Sequence, residues 1–431
     1  MSHNKEFILK FAHDNNVKFI RLWFTDVLGF LKSFAITIDE LEDAITEGIR
    51  FDGATLQGKI RSGEQEMMAC PDLTTFKILP WRPQEDAVAR MFCDIRQIDM
   101  SPFPGDSRYI LKNNLQKIAL QGLVYYTGPE IEFFFFKDSN KPTIIDNGGY
   151  FDLTPLDVAA DYRRQVVLTL EDMEIDAISS HHEVAPSQHE IDLRHEDALT
   201  TADNIMTFKL ITKEIGQLND IYASFMPKPL ANQNGSGLHL HQSLFKNDKN
   251  IFHDKNKKNS FSKKGEQFIA GILEHSHEFM AITNQWINSY KRLFDGFEAP
   301  IWAGWSFTDP RSLVRIPQSK KNKPNSTRIE LRNPDPSCNP YLTFSAVLAA
   351  GMKGIEGKYK LGDPLDSSSK KIKPLPATLD EALLYFEKSS LMKETLGDFI
   401  HSVFLENKKI ELDNFKKHIS DYELDNYLPV L

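Results

Sequence analysis

The chain has 431 residues, of which 41% are hydrophobic and 26% are charged. Such a chain can bury a large core, and its length predicts two or three domains. Its formal net charge is -9, from 51 basic and 60 acidic residues, without a long basic block. This charge balance argues against nonspecific binding to nucleic acid, so we expect no nucleic-acid partner.

The cysteines and the first residues indicate the cellular compartment. Cys70, Cys93 and Cys338 are widely spaced and odd in number, which fits neither a disulfide framework nor a zinc cluster. The opening segment MSHNKEFILKFAHDNN lacks the apolar core of a signal peptide, and no stretch of about 20 apolar residues could span a bilayer. We therefore expect a cytoplasmic protein with no membrane partner.

The chain has two successive parts that differ in their patterns of predicted secondary structure. The first part combines a short helix pattern with strand patterns at 17–24 and 88–94, and it ends in a loop of proline and glycine at 101–106. This loop predicts a domain boundary, with an N-terminal domain at 1–102 and a larger domain at 103–431.

Helical and strand patterns alternate in the larger domain. Helices are predicted at 109–121, 158–173 and 198–217, separated by short alternating strands. This arrangement predicts an α+β fold with a largely antiparallel sheet. The candidate catalytic residues fall on these strands.

The segment GPEIEFFFF carries the most unusual pair of residues. In a strand, Glu130 and Glu132 share one face with Phe134 and Phe136, because successive side chains alternate between faces. Two like charges in an apolar strand require a cation. The alternative is a half-exposed strand whose glutamates face water.

Two further segments place polar residues at the same spacing. HHEVAPSQHEID carries Glu183 and Glu190 on either side of a turn at 186–187, so an antiparallel return would bring the carboxylates together. In NGSGLHLHQSL, His239, His241 and Ser243 share one face of a strand. The alternatives are a surface hairpin for the first segment and buried core histidines for the second.

Arginines concentrate between residues 292 and 332. In STRIELR, Arg328, Glu330 and Arg332 alternate, which predicts a carboxylate between two guanidiniums, although a surface salt-bridge ladder is the alternative. Guanidinium groups bind phosphate and carboxylate oxygens well. The other arginines of this stretch are Arg292, Arg311 and Arg315.

Together these segments predict a metal-dependent phosphoryl-transfer site. Five carboxylates and His239 form a hard ligand set that favours Mg²⁺ or Mn²⁺ over zinc, and six ligands suffice for two cations. The sequence has no GxxxxGKS loop and no kinase motif, so a nucleotide would be held by metals and arginines. The carboxylates are Glu130, Glu132, Glu183, Glu190 and Glu330.

These motifs resemble class I glutamine synthetase nearly end to end, from FDG to RIELRNPDPSCNPYL. The segment 362–376 lacks tyrosine and the adenylylation signature NLYDLP, which is typical of the non-adenylylated alpha-type subgroup. The resemblance implies a β-grasp-like N-terminal domain and a catalytic domain whose antiparallel strands form a funnel. It also implies a homo-oligomer, typically a dodecamer, with active sites shared between neighbouring subunits.

The resemblance also implies a role for each site residue. Glu132, Glu183 and Glu190 would hold one cation, and Glu130, His239 and Glu330 the other. The residues implied to bind glutamate are Glu132, Asn234, Gly235, Arg292, Glu298 and Arg332. Those implied to contact ATP or the transferred phosphoryl group are His241, Ser243, Arg311, Arg315 and Arg328.

Three residues are implied to act directly in the reaction, in which ATP phosphorylates the γ-carboxylate of glutamate and ammonia then attacks. Glu298 in GFEAP resembles a mobile flap residue, and Arg311 would stabilise the phosphoryl group. Asp52 in FDGAT resembles an aspartate that an adjacent subunit supplies to deprotonate ammonium. Arg61 occupies a position that one subgroup uses in feedback inhibition by glutamine; an exposed loop arginine is the alternative, and a regulatory protein remains open.

Two rival functions stay open at this point. A ligase joining glutamate to methylamine or a polyamine would share the metal and phosphate residues, although the retention of Asp52 and Glu298 argues against it. A non-catalytic binding protein would have lost a ligand residue, and none of the six is missing. Some segments depart from the usual family text, among them FDGAT, FDGFEAP, FTDPRS and the region of Ile178.

Overall fold

The computed structural model describes residues 4–59, 63–257, 259–365 and 372–431. Its N-terminal part is a six-stranded sheet in the order β2-β1-β6-β4-β3, with β5 on β6. Strands β1 and β6 are parallel, and the other pairs are antiparallel. The elements are α1 (Lys5–Asp14), β1 (Val17–Thr25), β2 (Leu31–Thr37), α2 (Leu41–Glu47), β3 (Ile49–Asp52), β4 (Glu66–Pro71), β5 (Lys77–Ile78) and β6 (Ala87–Arg96).

Helices surround a second sheet in the rest of the chain. Its helices are α3 (Ser107–Ala119), α4 (Ala160–Asp172), α5 (Ala198–Leu218), α6 (Lys263–Thr283), α7 (Ile287–Tyr290), α8 (Pro340–Glu356), α9 (Leu379–Lys388), α10 (Ser390–Lys416) and α11 (Asp421–Tyr427). Its strands are β7 (Leu123–Phe136), β8 (Ala177–His182), β9 (Gln188–Leu193), β10 (Glu196–Asp197), β11 (Tyr222–Ser224), β12 (Leu238–Lys246), β13 (Lys249–Asn250), β14 (Trp302–Ser306), β15 (Ser312–Arg315) and β16 (Ile329–Leu331).

This second sheet has ten strands, with the main order β14-β15-β16-β12-β7-β9-β8. Only β14 and β15 pair in parallel among its described pairs. The predicted α+β class with a largely antiparallel sheet is therefore confirmed. Short connections such as the turn between β8 and β9 suffice for antiparallel neighbours.

The long central strand β7 shows the predicted alternation. Ile131, Phe133 and Phe135 are buried in the large core, whereas Phe134 and Phe136 belong to a small separate cluster on the other face. Burying rings on both faces fixes the register of this strand, since a shift by one residue would exchange the two faces. The same register fixes the direction of the two glutamates.

A buried ionic cluster joins the two parts of the chain. The guanidinium of Arg108, in the first turn of α3, lies 2.9 Å from Asp72, 2.7 Å from Asp94 and 2.8 Å from Asp203. Lys112 adds a second cation at 2.6 Å from Asp94. Because Asp72 directly follows β4 and Asp94 lies on β6, this Arg108 cluster connects the N-terminal sheet to α3 and α5.

The two parts also share apolar packing. The larger core includes Trp23 and Phe92 of the N-terminal sheet together with residues of α3, α5 and α8. The smaller core lies within the N-terminal part and reaches Phe103. No helix in the described part of the chain is long and apolar enough to cross a membrane.

Candidate active site

Three neighbouring strands bring the acidic and imidazole side chains together. Glu132 on β7 lies directly opposite Glu190 on β9. On the other edge of β7, Glu130 lies opposite His239 on β12. Antiparallel pairs of this kind place side chains about 5 Å apart at their Cβ atoms, so the predicted ligands converge without help from a loop.

These side chains open into a cavity of about 840 Å³. Its walls are strands β7, β8, β9 and β12 on one side and the segment 292–315 on the other. The predicted site residues that line it are Glu130, Glu132, Glu183, Glu190, Asn234, Gly235, His239, Arg292, Glu298, Arg315 and Arg332. The cavity therefore gathers most of the residues predicted to bind metal and glutamate.

The carboxylates on β7 and β9 are poorly compensated by the protein. Burial, together with the charge of Glu183, raises the pKa of Glu132, although His239 and Arg292 oppose the rise. Burial and the charge of Glu132 raise the pKa of Glu190 well above its ordinary value. A raised carboxyl pKa means that burial and like charge outweigh the cationic neighbours that the protein supplies.

Glu130 has a different environment. Burial favours its neutral form, but hydrogen bonds from His239 and His241 outweigh that effect, and the pKa of Glu130 lies below its usual range. His241 Nε2 lies 2.6 Å from Glu130 Oε1, and Arg328 Nε donates to His241 Nδ1 at 3.2 Å. Since Nδ1 accepts from the arginine, Nε2 carries the proton and donates to Glu130.

Glu330 is fully buried behind the cavity wall. Its two oxygens accept from Arg315 Nε at 2.5 Å and from Arg332 Nη1 at 2.6 Å. The sequence predicted that the flanking guanidiniums would be those of Arg328 and Arg332. Arg332 bonds Glu330 as predicted, whereas the hydrogen bonds of Arg328 go to His241 and to the carbonyl of Ser326, and β15 brings Arg315 beside Glu330 as the second partner.

The donor set fits hard divalent cations. One ligand atom from each of Glu130, Glu190 and His239 lies within 4.8 Å of the others, and the same holds for His181, Glu183 and Glu190. His239 Nε2 is buried and has no hydrogen-bond partner among the described residues. An unpartnered imidazole nitrogen beside carboxylates is a ligand geometry, and oxygen-rich sets favour Mg²⁺ or Mn²⁺.

A third group of possible ligands, Asp146, His182 and His189, lies in the core next to the β8–β9 hairpin. It does not suit a cation. Arg163 Nη1 lies 2.9 Å from His189 Nδ1, so a fixed positive charge already occupies that side. His182 bonds Asp146 at 3.0 Å, and this pair braces the hairpin that carries Glu183 and Glu190.

The opposite wall combines loops with the short strands β14 and β15. Glu298 is exposed on the segment 294–298, and its Oε2 accepts from Asn234 Nδ2 at 3.4 Å. Gly296 in this segment has a φ of 90° with open space around its Cα, a conformation that favours glycine. Hereafter residues 294–298 are called the flap.

Arg292 is fixed at the base of the flap. It is 2% exposed, and its guanidinium donates to the backbone carbonyls of Asn333 at 2.9 Å and Arg332 at 3.1 Å. Gly237 packs against it, because a Cβ there would lie 2.4 Å from Arg292 Nη2. This close approach explains why the second glycine of NGSG, Gly237, has no side chain.

Six of the described residues that were predicted for the site lie outside the cavity lining: Glu330, Arg328, Arg311, His241, Ser243 and Asp52. Arg311 pairs with Asp309 at 2.7 Å. His241 and Ser243 are on β12 beyond His239. Asp52 Oδ1 accepts from the backbone N–H of Ala54 and of Gln65, each at 3.0 Å, within the N-terminal part.

The role of Asp52 in the active site of a neighbouring subunit stays a prediction. Arg61, the predicted regulatory residue, lies outside the described residues.

Sequence reasoning did not single out His181, Tyr150, Phe151 or Gln188. His181 Nε2 lies 3.1 Å from Glu183 Oε1, and Gln188 Nε2 donates to Glu132 Oε2 at 3.0 Å. The rings of Tyr150 and Phe151 stack with centroids 4.0 Å apart and meet His181 edge-on. The period-two spacing of His181 and Glu183 was a usable signal; the two rings lie on a loop without periodicity.

The fold and the cavity define a two-domain enzyme architecture with an acidic site on an antiparallel sheet. Two family models match: "Glutamine synthetase, beta-Grasp domain" over residues 16–98 and "Glutamine synthetase, catalytic domain" over residues 104–427. The chain belongs to the glutamine synthetase family. The family resemblance predicted from the sequence is thereby confirmed, and the subgroup stays a prediction.

Curated relatives match along the whole chain. A glutamine synthetase of Mycolicibacterium smegmatis is 46% identical, covering 99% of this chain and 100% of that protein. One of Methanosarcina mazei is also 46% identical, covering 99% and 98%.

Among solved structures, GmaS in complex with ADP superposes with a TM-score of 0.89 at 27% identity, covering 98% of this chain and 99% of that one. Plasmodium falciparum glutamine synthetase superposes at 0.90 with 24% identity, covering 98% of each chain, and supports the fold.

Proposed function

We propose that the chain ligates ammonia to L-glutamate, with ATP hydrolysed to ADP and phosphate, through a γ-glutamyl phosphate intermediate. The observation that carries this proposal is the cavity in which Glu132 and Glu190 face each other while Arg292, Arg315 and Arg332 line the same space. An acidic wall attracts cations, and guanidiniums bind carboxylate and phosphate oxygens. The full-length relatives named glutamine synthetase support the same reaction.

Two divalent cations, Mg²⁺ or Mn²⁺, fit the acidic wall. Glu132, Glu183 and Glu190 would hold one, and Glu130, His239 and Glu330 the other. When bound, such cations supply charge neutralisation for the phosphate oxygens of ATP. Each oxygen of Glu330 already accepts from an arginine, and its remaining lone pair is the one that a cation would use.

The other wall binds the amino acid. Asn234 and Gly235, with Arg292 and Arg332, would hold glutamate near Glu132. Because Arg292 is immobilised by backbone carbonyls, it offers a fixed positive charge to a substrate carboxylate. Glu298 would close over this side, since its flap bends at Gly296.

The remaining arginines would stabilise the transferred phosphoryl group. Arg315 already lies at the cavity, whereas Arg311 must exchange its partner Asp309 for phosphate. Arg328 reaches the site through His241, which with Ser243 would lie beside ATP. Positioned guanidiniums of this kind lower the cost of charge that develops as the phosphoryl group moves.

Ammonium must lose a proton before its nitrogen can attack the acyl phosphate. The carboxylate of Asp52 would accept that proton; the new C–N bond forms at Cδ, the carbon of the γ-carboxyl group, and phosphate leaves as the C–O bond to it breaks. Asp52 does not line the cavity of its own chain, so this role needs a neighbouring subunit. We therefore propose a homo-oligomer, with a dodecamer as the expected form, and a cytoplasmic location.

Substrate-dependent turnover tests the proposal. Purified protein with Mg²⁺ or Mn²⁺ should release phosphate from ATP only when both glutamate and ammonium are present, with one glutamine per phosphate. Higher kcat/KM with methylamine or putrescine would instead identify an alkylamine ligase, and no turnover with any amine would indicate a binding protein. A stable monomer in light scattering would remove the role proposed for Asp52.

A further inference from the structure

One buried cation near the glutamate side has no role in the scheme above. Lys228 is 7% exposed, and no carboxylate among the described residues forms an ion pair with it or raises its pKa. Burial and the nearby charge of Arg292 lower its pKa. A buried ammonium without an acidic partner is costly, so its neutral contacts must hold it in place.

Those contacts reach two loops at once. Lys228 Nζ donates to the backbone carbonyl of Gln233, the residue before Asn234. The same Nζ lies 3.5 Å from the ring centroid of Phe297, the residue before Glu298. An ammonium over an aromatic face at this distance is a strong cation–π contact, and burial strengthens it.

The backbone of Lys228 is itself fixed. Its N–H donates to Asn288 Oδ1 at 2.8 Å, and its carbonyl accepts from Asn288 Nδ2 at 3.0 Å, so it is held on α7. The preceding Pro227 carbonyl accepts from the N–H of Ser236 at 2.8 Å. The backbone of Lys228 is therefore held on α7 while its side chain contacts the two loops.

The flap has few other anchors. Its tip is exposed at Phe294, Asp295 and Gly296, and Phe297 is its half-buried residue. The contact between Asn234 Nδ2 and Glu298 Oε2, at 3.4 Å, is long for a hydrogen bond. Without the cation–π contact, the relative position of Asn234 and Glu298 would depend on that weak bond.

We propose that Lys228 is a positioning residue that fixes the flap against the 233–235 loop and thereby sets the geometry of the glutamate side of the site. This inference rests on the proposed function, because it takes Asn234 and Glu298 as glutamate-side residues. Lys228 does not line the cavity and need not touch the substrate. Its effect is on how well glutamate is held and how tightly the flap excludes water.

Lys228→Met tests this role because methionine keeps the apolar stem and removes the ammonium. We expect the KM for glutamate to rise about tenfold, since a cation–π contact and a hydrogen bond are lost together. The KM for ATP should stay within about twofold, and ATP hydrolysed per glutamine formed should increase. Lys228→Arg should restore most of the glutamate KM, because a guanidinium can also stack on Phe297 and donate.

Two further variants separate positioning from stability. Phe297→Leu removes the aromatic face at a half-exposed position, and it should raise the glutamate KM without unfolding the protein. Lys408→Met is the matched control, because Lys408 is also buried and lies 3.5 Å over the ring of Trp286, away from the cavity. It should lower the thermal midpoint and leave the glutamate KM unchanged.

The outcomes distinguish a positioning role of Lys228 from a purely stabilising role. If Lys228→Met and Lys408→Met lower the midpoint alike and both keep the wild-type glutamate KM, Lys228 is only a stabilising residue and the inference is wrong. If Phe297→Leu has no effect on the glutamate KM, the cation–π contact does not position the flap. Absence of glutamate- and ammonium-dependent turnover in the wild type would instead overturn the proposed function.

Discussion

The Arg108 cluster and the acidic cavity are both buried and charged, yet they are built in opposite ways. In the Arg108 cluster, Asp72, Asp94 and Asp203 surround one guanidinium, and a lysine adds a second cation. In the cavity, carboxylates on adjacent strands face one another. The first region satisfies its charges internally, whereas the second leaves part of its charge for something outside the chain.

The pKa shifts express the same difference. Burial raises the pKa of Asp72, but Arg108 and Thr74 more than offset this and its pKa lies below the ordinary value. The pKa of Glu190 is raised well above its ordinary value by burial and by Glu132. Buried charge compensated by side chains is therefore a structural device, and buried charge left uncompensated indicates a ligand site.

Glu190→Gln should give the largest effect. The amide cannot supply the negative charge that a divalent cation requires, so we expect kcat/KM to fall about a thousandfold. Without metal, the Glu190→Gln variant should be at least as stable as the wild type, because Glu132 in the variant faces no like charge. Phosphate-release kinetics and urea denaturation measure the two quantities.

The exposed Glu171 on α4 provides the control for that variant. Glu171→Gln should retain wild-type kinetics. Activity within tenfold of the wild type in Glu190→Gln would show that the cavity needs no anionic group at this position.

Arg108→Met should have the opposite profile. Removing the guanidinium leaves Asp203 buried without its cation, and we expect the free energy of unfolding to fall by about 3–5 kcal/mol. Lys112→Met, at a more exposed cation of the same cluster, should cost less than about 1 kcal/mol. Equal losses in urea denaturation for the two variants would contradict the view that Arg108 is the centre of the cluster.

Divalent cations should stabilise the protein by binding in the acidic cavity and not at the Arg108 cluster. At roughly one hundred times the dissociation constant, Mg²⁺ or Mn²⁺ should raise the free energy of unfolding of the wild type by about 2.7 kcal/mol. Glu190→Gln should gain much less, whereas Lys112→Met should gain as much as the wild type. Calorimetric scans with and without the cation measure this, and an equal gain in Glu190→Gln would place the cation elsewhere.

The charge of Asp26 is less well compensated than that of the Arg108 cluster and better compensated than that of the cavity. Its replacement should give the smallest change in stability. It is buried, its nearest cation is Lys32 at 3.5 Å, and burial raises its pKa from 3.8 to about 6. Because the folded-state pKa is raised, its stabilising contribution is present below pH 3.8 and is lost as the pH rises through about 6.

Asp26→Asn keeps the acceptor for the N–H groups of Leu28 and Phe30 but does not titrate. Between pH 5 and 7.5, the wild type should lose about 1–2 kcal/mol of unfolding free energy relative to this variant. Parallel stability curves for the two proteins would show that Asp26 is compensated as well as the Arg108 cluster.

The regular elements of the site were predictable because their patterns are local. Alternation in β7 predicted the shared face of Glu130 and Glu132, and the turn at 186–187 predicted the hairpin that brings Glu183 and Glu190 together. The helix predicted at 198–217 is observed at Ala198–Leu218. Periodicity and turn chemistry depend on neighbouring residues, which a single sequence contains.

The errors and omissions concern contacts between distant segments. Arg315 reaches Glu330 through the pairing of β15 with β16, which local spacing around Arg328 does not specify. Tyr150 and Phe151 come from an irregular loop between β7 and α4. The sequence gives no signal for Lys228, because only the fold brings its partners, the Gln233 carbonyl and the Phe297 ring, to it.

The cavity has one wall of long paired strands and one wall in which loops join the short strands β14 and β15, and this division bears on where the site tolerates change. Glu132, Glu190 and His239 lie on strands whose registers constrain many other residues, so an insertion or deletion there would shift the sheet. Asn234 and Glu298 lie on loops that can lengthen or change sequence without altering any strand pair. Changes in these loops can therefore alter which small molecules fit the cavity while the strand pairs that hold the carboxylates stay unchanged.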